Sequence, residues 1–468
     1  MHMIIINSVD IANDLLERRS SIYSDRPQSV MATELMGWHW NLSLMRYGSL
    51  WRAGRRLFHH EFHPDAALRF RPREEAATHE LLRRFVNEPE GFSEHLVHMA
   101  GRVILDIAYG IRVQPHGDPY VAAAEAANAG IFEASKPGAF LVDFFTLLKY
   151  VPAWVPGAGF QRKAREWKKH TDDVFNLPYA AAKKDYEMGE GESFVTRSLA
   201  ALEGSDNREF EEFALQGTAA SMYNAGVDTT SVTIRTLILA MLRHPDVQVK
   251  AQRELDAVVG HGNLPGFEHE HQLPYVGAVI KEVVRTAPIL PLSLPHSTTA
   301  EDAYEGYRIP AGSIVFANVW AMFHDPTLFP DPSTFRPERF LDAHGQPISH
   351  SAHDSATKTT SQPNTNSTTD TRATMPDPTA LIFGFGRRVC PGRYLAAHSV
   401  WLAAACILAV FDILPVDSDS VAPTAGEGEK DAVTPGLFAI PLPFKARIVP
   451  RSDAARAAVL ATEGEDGE

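Results

Sequence analysis

Apolar residues recur every three or four positions along most of the chain, the spacing of helices that bury one face. This pattern predicts helices near residues 10–19, 50–61, 73–86, 92–110 and 118–135. Pro152, Pro156 and Gly157 interrupt it, and helical spacing resumes near residue 160. A long helix is predicted from about Phe210 to Arg243, with Asp206 and Asn207 available as caps. His244-Pro245 ends it, because a residue preceding proline is driven out of the helical region. Pro245 then suits the first turn of another helix that reaches Gly260. A further helix spans Pro274 to Thr286 and stops at Ala287-Pro288.

Between about 290 and 320 the period shortens. Tyr307-Arg308-Ile309 and Ser313-Ile314-Val315-Phe316 read as short strands of a small sheet, and a hairpin is expected around 434–449. The opening Met1–Ile6 run reads as a strand entering a helix through the cap chemistry of Asn7, Ser8 and Asp10. Residues 344–377, rich in Ser, Thr, His, Asp and Asn, read as a disordered insertion, and 451–468 as a disordered acidic tail. The expectation is a mainly α fold with small β-sheets, one domain over residues 4–450.

Composition narrows the function classes. Apolar residues make up 44% of the 468, enough for a sizeable interior. The formal charge, 44 − 58 = −14, argues against nucleic acid as a partner. Two cysteines, Cys390 and Cys406, exclude a disulfide framework and point to a reducing compartment. No run of about 18 or more apolar residues is present, so no transmembrane helix is expected. The Val400–Val410 run reads as a buried core helix, and no signal peptide is visible.

The richest stretch is Phe383-Gly384-Phe385-Gly386-Arg387-Arg388-Val389-Cys390-Pro391-Gly392. A haem iron takes an exposed, deprotonated sulfur held rigidly below the ring. Gly384 and Gly386 permit a tight turn with positive φ. Cys390 lies just before an apolar helix, Gly392 to about Phe411, whose first amides favour a charged sulfur and lower its pKa. The plain alternative for one such cysteine is a buried structural residue, which is how Cys406 reads.

The pattern F-x-x-G-x-R-x-C-x-G resembles the thiolate loop of the cytochrome P450 family, and the resemblance runs from residue 4 to about 450. It is nearest the microsomal type, in particular fungal enzymes of secondary metabolism. It implies haem b, iron protoporphyrin IX, with Cys390 as the metal ligand, Phe383 and Gly392 against the cofactor, and Arg388 as a cation for a propionate. Ala225-Gly226-Val227-Asp228-Thr229-Thr230 matches the family's oxygen-activation motif. Gly226 would let the helix backbone approach the haem beside Ala225, and a mid-helix Thr hydroxyl can bond a carbonyl one turn back, near Ala225. Asp228 and Thr229 are the expected catalytic pair, delivering protons and bonding the oxygen under activation. On its own, such a patch more often simply touches solvent. Trp51 and Arg55, at i and i+4, match W-x-x-x-R and would donate to a propionate, as would His296. Glu282 and Arg285 match E-x-x-R, with Arg339 as third member, a buried charge network of structural role.

The resemblance further implies a lipophilic small-molecule substrate, O2, and an NADPH-cytochrome reductase, since no flavin or dinucleotide fingerprint is present. Pocket positions by resemblance are Met222, Ala225, Ile289, Leu290, Leu292, Leu437 and Phe438. Arg52, Arg56, Arg387 and Arg393 would form a basic docking patch. The implied location is the cytoplasmic side of the endoplasmic reticulum, although this chain has no transmembrane anchor. Against microsomal members it opens at what reads as the second strand of the N-terminal sheet, as either an N-terminally truncated form or an unusual soluble one, and loss of a partner strand would expose a sheet edge. Three readings stand at this point: a monooxygenase; a haem-thiolate isomerase, dehydratase or peroxide-using enzyme, against which the Asp228-Thr229 pair argues; and a degenerate haem-binding protein.

Overall fold

The computed structural model describes residues 2–136, 138–348, 375–416, 433–434 and 436–463. Its helices are α1 Val9–Ala12, α2 Ser20–Tyr23, α3 Ser49–Phe62, α4 Pro64–Ala67, α5 Arg71–Asn87, α6 Phe92–Tyr109, α7 Pro119–Ala134 and α8 Gly159–Glu187. They continue as α9 Phe194–Ala201, α10 Arg208–Arg243, α11 Pro245–Val258, α12 Pro274–Thr286, α13 Val319–Phe323, α14 Pro378–Leu381, α15 Arg393–Val410 and α16 Asp453–Ala461. The long α10 is the axle: α3, α6, α7, α8, α9, α12 and α15 all pack on it. α10 and α15 are apolar enough over 18 residues to cross a membrane, a test that the count of consecutive apolar residues had not met. However, 56% and 72% of those windows are buried inside the protein, as core helices require.

The strands are few. β1 Met3–Ile6 runs parallel to β5 Ile314–Ala317, which pairs antiparallel with β2 His296–Ser297, giving the order β1-β5-β2. β1 is an edge strand of this sheet among the described residues, as expected. β3 Asp302–Tyr304 and β4 Tyr307–Ile309 form a hairpin whose turn, Glu305-Gly306, has both φ angles positive.

Three expectations need correction. The strand near the C-terminus, β7 Arg447–Pro450, does not close a hairpin on residue 434. It pairs with β6 Phe411–Leu414, and among the described residues the one bridge near the expected hairpin joins Val433 to Pro441. β6 follows α15 without punctuation in the sequence, so its boundary was invisible there. The tail is not disordered throughout: Ser452 caps α16, which buries Ala455 and Val459. Residues 464–468 lie outside the described residues, as do 349–374 of the expected insertion. The last residues of that insertion belong to the ordered fold, since Met375 is buried and Asp377 caps α14. A smaller correction concerns α10, which starts at Arg208 with no side-chain cap bond from Asn207.

The charge network is buried as expected. Arg285 donates to Glu282 from Nε (2.8 Å) and from its terminal nitrogen (2.9 Å), and Arg339 Nε lies 3.1 Å from both carboxylate oxygens. The Arg336 backbone N–H adds a fourth donor, and a fifth hydrogen bond, at 2.7 Å. One carboxylate cannot neutralise two guanidiniums, and the remaining donors are taken by the carbonyls of Phe323, Pro330, Asp331 and Thr334. Glu282→Ala should therefore leave two cations buried without an anion and destabilise the fold by about 3–5 kcal/mol. Chemical denaturation of the purified variant measures it, and a wild-type midpoint would contradict the network's structural role.

Candidate functional site

The neighbour of Glu282 carries the network's order forward. Lys281 pairs with Asp377 at 2.7 Å, and Asp377 accepts from the Thr379 N–H at 2.9 Å to start α14. α14 leads straight into the loop from Phe383 to Gly392. There the Cys390 N–H donates to the Phe383 carbonyl at 2.7 Å, closing the loop. Gly384 has φ +83° and Gly386 φ +57°, as expected of the tight turn. At Gly386 space is decisive too: a Cβ would stand 2.1 Å from the Leu16 carbonyl oxygen. The Gly386 N–H also donates to Glu17 (2.5 Å), so the N-terminal segment lies directly on this loop.

Cys390 is half-buried and free. Burial pushes its thiol pKa up, against the Gly392 amide and the Arg55 and Arg393 guanidiniums, which favour the thiolate. The expected lowering by the start of α15 is thus present but outweighed by desolvation. Cys406 is fully buried, sits 3.4 Å from the Pro265 carbonyl, and is likewise held neutral by desolvation.

Cations gather above this loop. Arg388 lies over the Trp51 ring at 4.4 Å and donates to the carbonyls of Ser24, Leu42 and Met45. Burial pushes its pKa down to about 10. Arg26, which sequence reasoning missed, is buried beside it and donates to the carbonyls of Ser43, Leu294 and Pro295. Arg55 is half-buried, also pushed to about 10 by desolvation, and makes no hydrogen bond or ion pair among the described residues. His296 is buried with Nδ1 2.7 Å from the Tyr23 carbonyl, and burial followed by Arg26 holds it neutral. With Nδ1–H donating, its other nitrogen is an acceptor and offers a carboxylate nothing unless it gains a second proton. Arg26, Arg55 and Arg388 thus converge without an ion pair among the described residues, and the carboxylate that acts on Arg26 and Arg388, Asp25, is already paired with Arg46. Such a donor set fits a buried group bearing carboxylates, as a haem's propionates do.

The other wall is α10. Ala225 is exposed and Thr229 half-buried, whereas Met222, Tyr223, Val227 and Thr230 are buried. One narrow face of a core helix is therefore accessible. Thr229 Oγ donates to the Ala225 carbonyl at 2.9 Å, the back-bond the sequence predicts. Gly226 also has a packing role on its α6 side. A Cβ there would meet Ile104 of α6 at 3.0 Å, so the missing side chain permits α10 and α6 to pack closely. Asp228 points to α7, where Asn128 donates to its Oδ2 at 2.6 Å. Burial pushes the Asp228 pKa up to about 6, with Asn128 opposing and Glu125 adding to the rise. Asn128 was overlooked in the sequence. Its signal is a lone amide in the Ala-rich run Ala122 to Ala129, on a helix that buries small residues. Of the assigned pocket positions, Phe438 packs on Phe132 of α7 (4.4 Å) and Ile289 accepts from the Ala439 N–H.

Comparison with known proteins agrees with this geometry. Residues 1–436 match the family described as Cytochrome P450. The chain is 40% identical to cytochrome P450 monooxygenase 98 of Postia placenta over 98% of its own length and 84% of the relative's. It is 40% identical to tryptamine 4-monooxygenase of Psilocybe cyanescens (96% and 84%) and 41% identical to a cytochrome P450 monooxygenase of Armillaria gallica (97% and 84%).

The two loop glycines should differ on substitution. Gly384→Ala meets its nearest atom at 3.9 Å and bears only left-handed backbone strain, about 1–2 kcal/mol. Gly386→Ala adds a collision with backbone, and its thermal midpoint should fall well below that of Gly384→Ala. Equal midpoints would mean that Leu16 yields freely.

Proposed function

Because the chain belongs to the cytochrome P450 family of haem monooxygenases, we propose that Cys390 is the axial ligand of haem b and that α10 presents the oxygen-activating side chains. The observation that carries this reading is the free sulfur of Cys390 in the same neighbourhood as three guanidiniums that form no ion pair among the described residues. Trp51, Arg55, Arg388 and His296 would hold the propionates, with Arg26 beside them, and Phe383, Gly392, Ala225 and Gly226 would line the cofactor. When bound, the haem supplies activation of O2 and insertion of one oxygen atom into the substrate.

The protein's own part is proton handling and exclusion of water. Asp228, with a pKa near 6, can hold or release a proton close to neutral pH. Thr229 spends its O–H on the Ala225 carbonyl, so its lone pairs face the accessible side of α10. It accepts a hydrogen bond there and donates only on turning away from Ala225. The acid and the alcohol together favour a monooxygenase over a peroxide-using relative.

The substrate we infer is a lipophilic small molecule of secondary metabolism. The Phe132–Phe438 pair supports an apolar, aromatic-lined site, and one relative is named for acting on tryptamine. Electrons would come from an NADPH-cytochrome reductase. Arg52, Arg56 and Arg387 are exposed, and Arg52 and Arg387 both lie over the Tyr47 ring (5.8 and 5.4 Å), giving an acidic partner a basic landing on an acidic protein. The working location would be the cytoplasmic face of the endoplasmic reticulum. The exposed Leu147, Tyr150 and Trp154 beside Lys149 support contact with a membrane interface.

Cys390→Ser should lose the thiolate-type spectrum of the reduced carbon-monoxide complex. Thr229→Ala should retain that spectrum but release peroxide, with less product per NADPH. A thiolate spectrum surviving in Cys390→Ser would remove the reading altogether. Reductase and enzyme should co-fractionate with microsomes, and Arg387→Glu should raise the reductase concentration needed for half-maximal turnover and flatten its salt dependence. Unchanged kinetics would exclude this face as the docking site.

A further inference from the structure

We propose that Asn128 is a positioning residue for the Asp228 carboxylate, held in place by a chain of buried side-chain amides that runs from Asn41 through Asn224. The proposal rests on the reading of Asp228 as the proton-delivering acid, and concerns what aims that acid.

All three asparagines are buried, and each comes from a different part of the fold: Asn41 from the segment before α3, Asn128 from α7 and Asn224 from α10. Their hydrogen bonds share one direction. Asn41 Nδ2 donates to Asn224 Oδ1 (3.4 Å), Asn224 Nδ2 donates to Asn128 Oδ1, and Asn128 Nδ2 donates to Asp228 Oδ2 (2.6 Å). Asn128 Nδ2 also reaches the Asn224 carbonyl at 3.3 Å, which leaves the amide no freedom to turn. Behind Asn41 the sequence continues: its Oδ1 accepts from Ser43 N–H (2.9 Å) and Oγ–H (2.5 Å), and the Ser43 carbonyl accepts from Arg26. The chain therefore joins the cation cluster to the acid on α10.

Packing alone does not call for this. Burying a primary amide costs free energy unless its bonds are made, and an apolar side chain of similar size would suit a helix interface better. Donors lined up head to tail polarise one another, and the polarisation ends on the carboxylate, favouring its charged form. Amides neither take up nor give up protons near neutral pH, so the chain orients rather than conducts. Asp228 Oδ1 makes no hydrogen bond among the described residues and is the oxygen left to exchange a proton. The other groups that bear on the acid are Glu125, one turn before Asn128 on α7, with Glu94 behind it, Arg235 on α10, and Tyr223. α7 thus holds the carboxylate with Asn128 and opposes its charge with Glu125. Phe132, one turn beyond Asn128, packs on Phe438, so the seating of this one helix bears on both the assigned pocket and the acid.

The test uses the haem-loaded protein and two readouts. Infrared difference spectroscopy follows the protonated-carboxyl band of Asp228, identified by subtraction of D228N, across a pH series. N128L removes a donor to the charged form, so the midpoint should move up by about one pH unit or more. E125Q should move it down. Product per NADPH should fall in N128L while the carbon-monoxide spectrum stays native. If N128L takes up no haem, Asn128→Ser, which withdraws the donor from reach of Oδ2, replaces it under the same criteria. An unmoved midpoint would overturn the positioning role. Full coupling in D228N would instead overturn Asp228 as the proton donor and leave the positioning result standing, so the two failures are distinct.

Discussion

One carboxylate organises the half of the molecule that carries the cysteine. Glu282 accepts five hydrogen bonds from Arg285, Arg339 and the Arg336 backbone. Its two guanidiniums reach out in turn to the last carbonyl of α13 and to carbonyls of residues 330–334, which have no helix or strand of their own. Residues 324–336 are thereby fixed without a helix or sheet of their own. Removing both charges together for apolar groups is a fair exchange in many proteins, whereas removing one is not. The network therefore specifies one arrangement of these loops more than it adds net stability. The adjacent Lys281 passes that arrangement to Asp377 and so to the cysteine loop.

Much of the fold was legible in the residues, for physical reasons that also explain the gaps. Pro245 and Pro274 mark helix starts because their missing N–H is harmless there. The Asn-free apolar run of α15 hides β6, because buried helix and buried strand look alike without a break between them. The tail misled because Glu463 to Glu468 dominates its composition, while the small apolar face of Ala455 and Val459 is easily overlooked. At the site, residues with local spacing were readable: Trp51 with Arg55, Asp228 with Thr229, and the loop up to Cys390. What was not readable comes from long-range pairing. Arg26, Asn41 and Asn128 have no motif, and each acquires its meaning from a partner 17 to 269 positions away. Gly226 shows the converse, since its motif was visible but its neighbour, Ile104, was not.

Charge is distributed unevenly with respect to need. Cations without ion-pair partners are collected above the cysteine loop, while on α10 burial raises the pKa of an acid to about 6. Both arrangements are costly in an empty interior and become favourable only around a partner of opposite character. The amide chain is what keeps these two regions in a fixed relation across α7, α10 and the segment before α3.

The contact between Gly386 and residues 16–17 has a consequence for the order of events during synthesis. The two partners are 370 positions apart (386 − 16). At about 5–20 residues per second, the N-terminal segment waits roughly 20–70 s before its partner leaves the ribosome. Over the same interval β1 waits for β5 and Asp14 for Tyr304. The cysteine loop can therefore reach its final shape only when both it and residues 16–17 have been synthesised, so any cofactor seated on it would be captured late, by a chain that is already long.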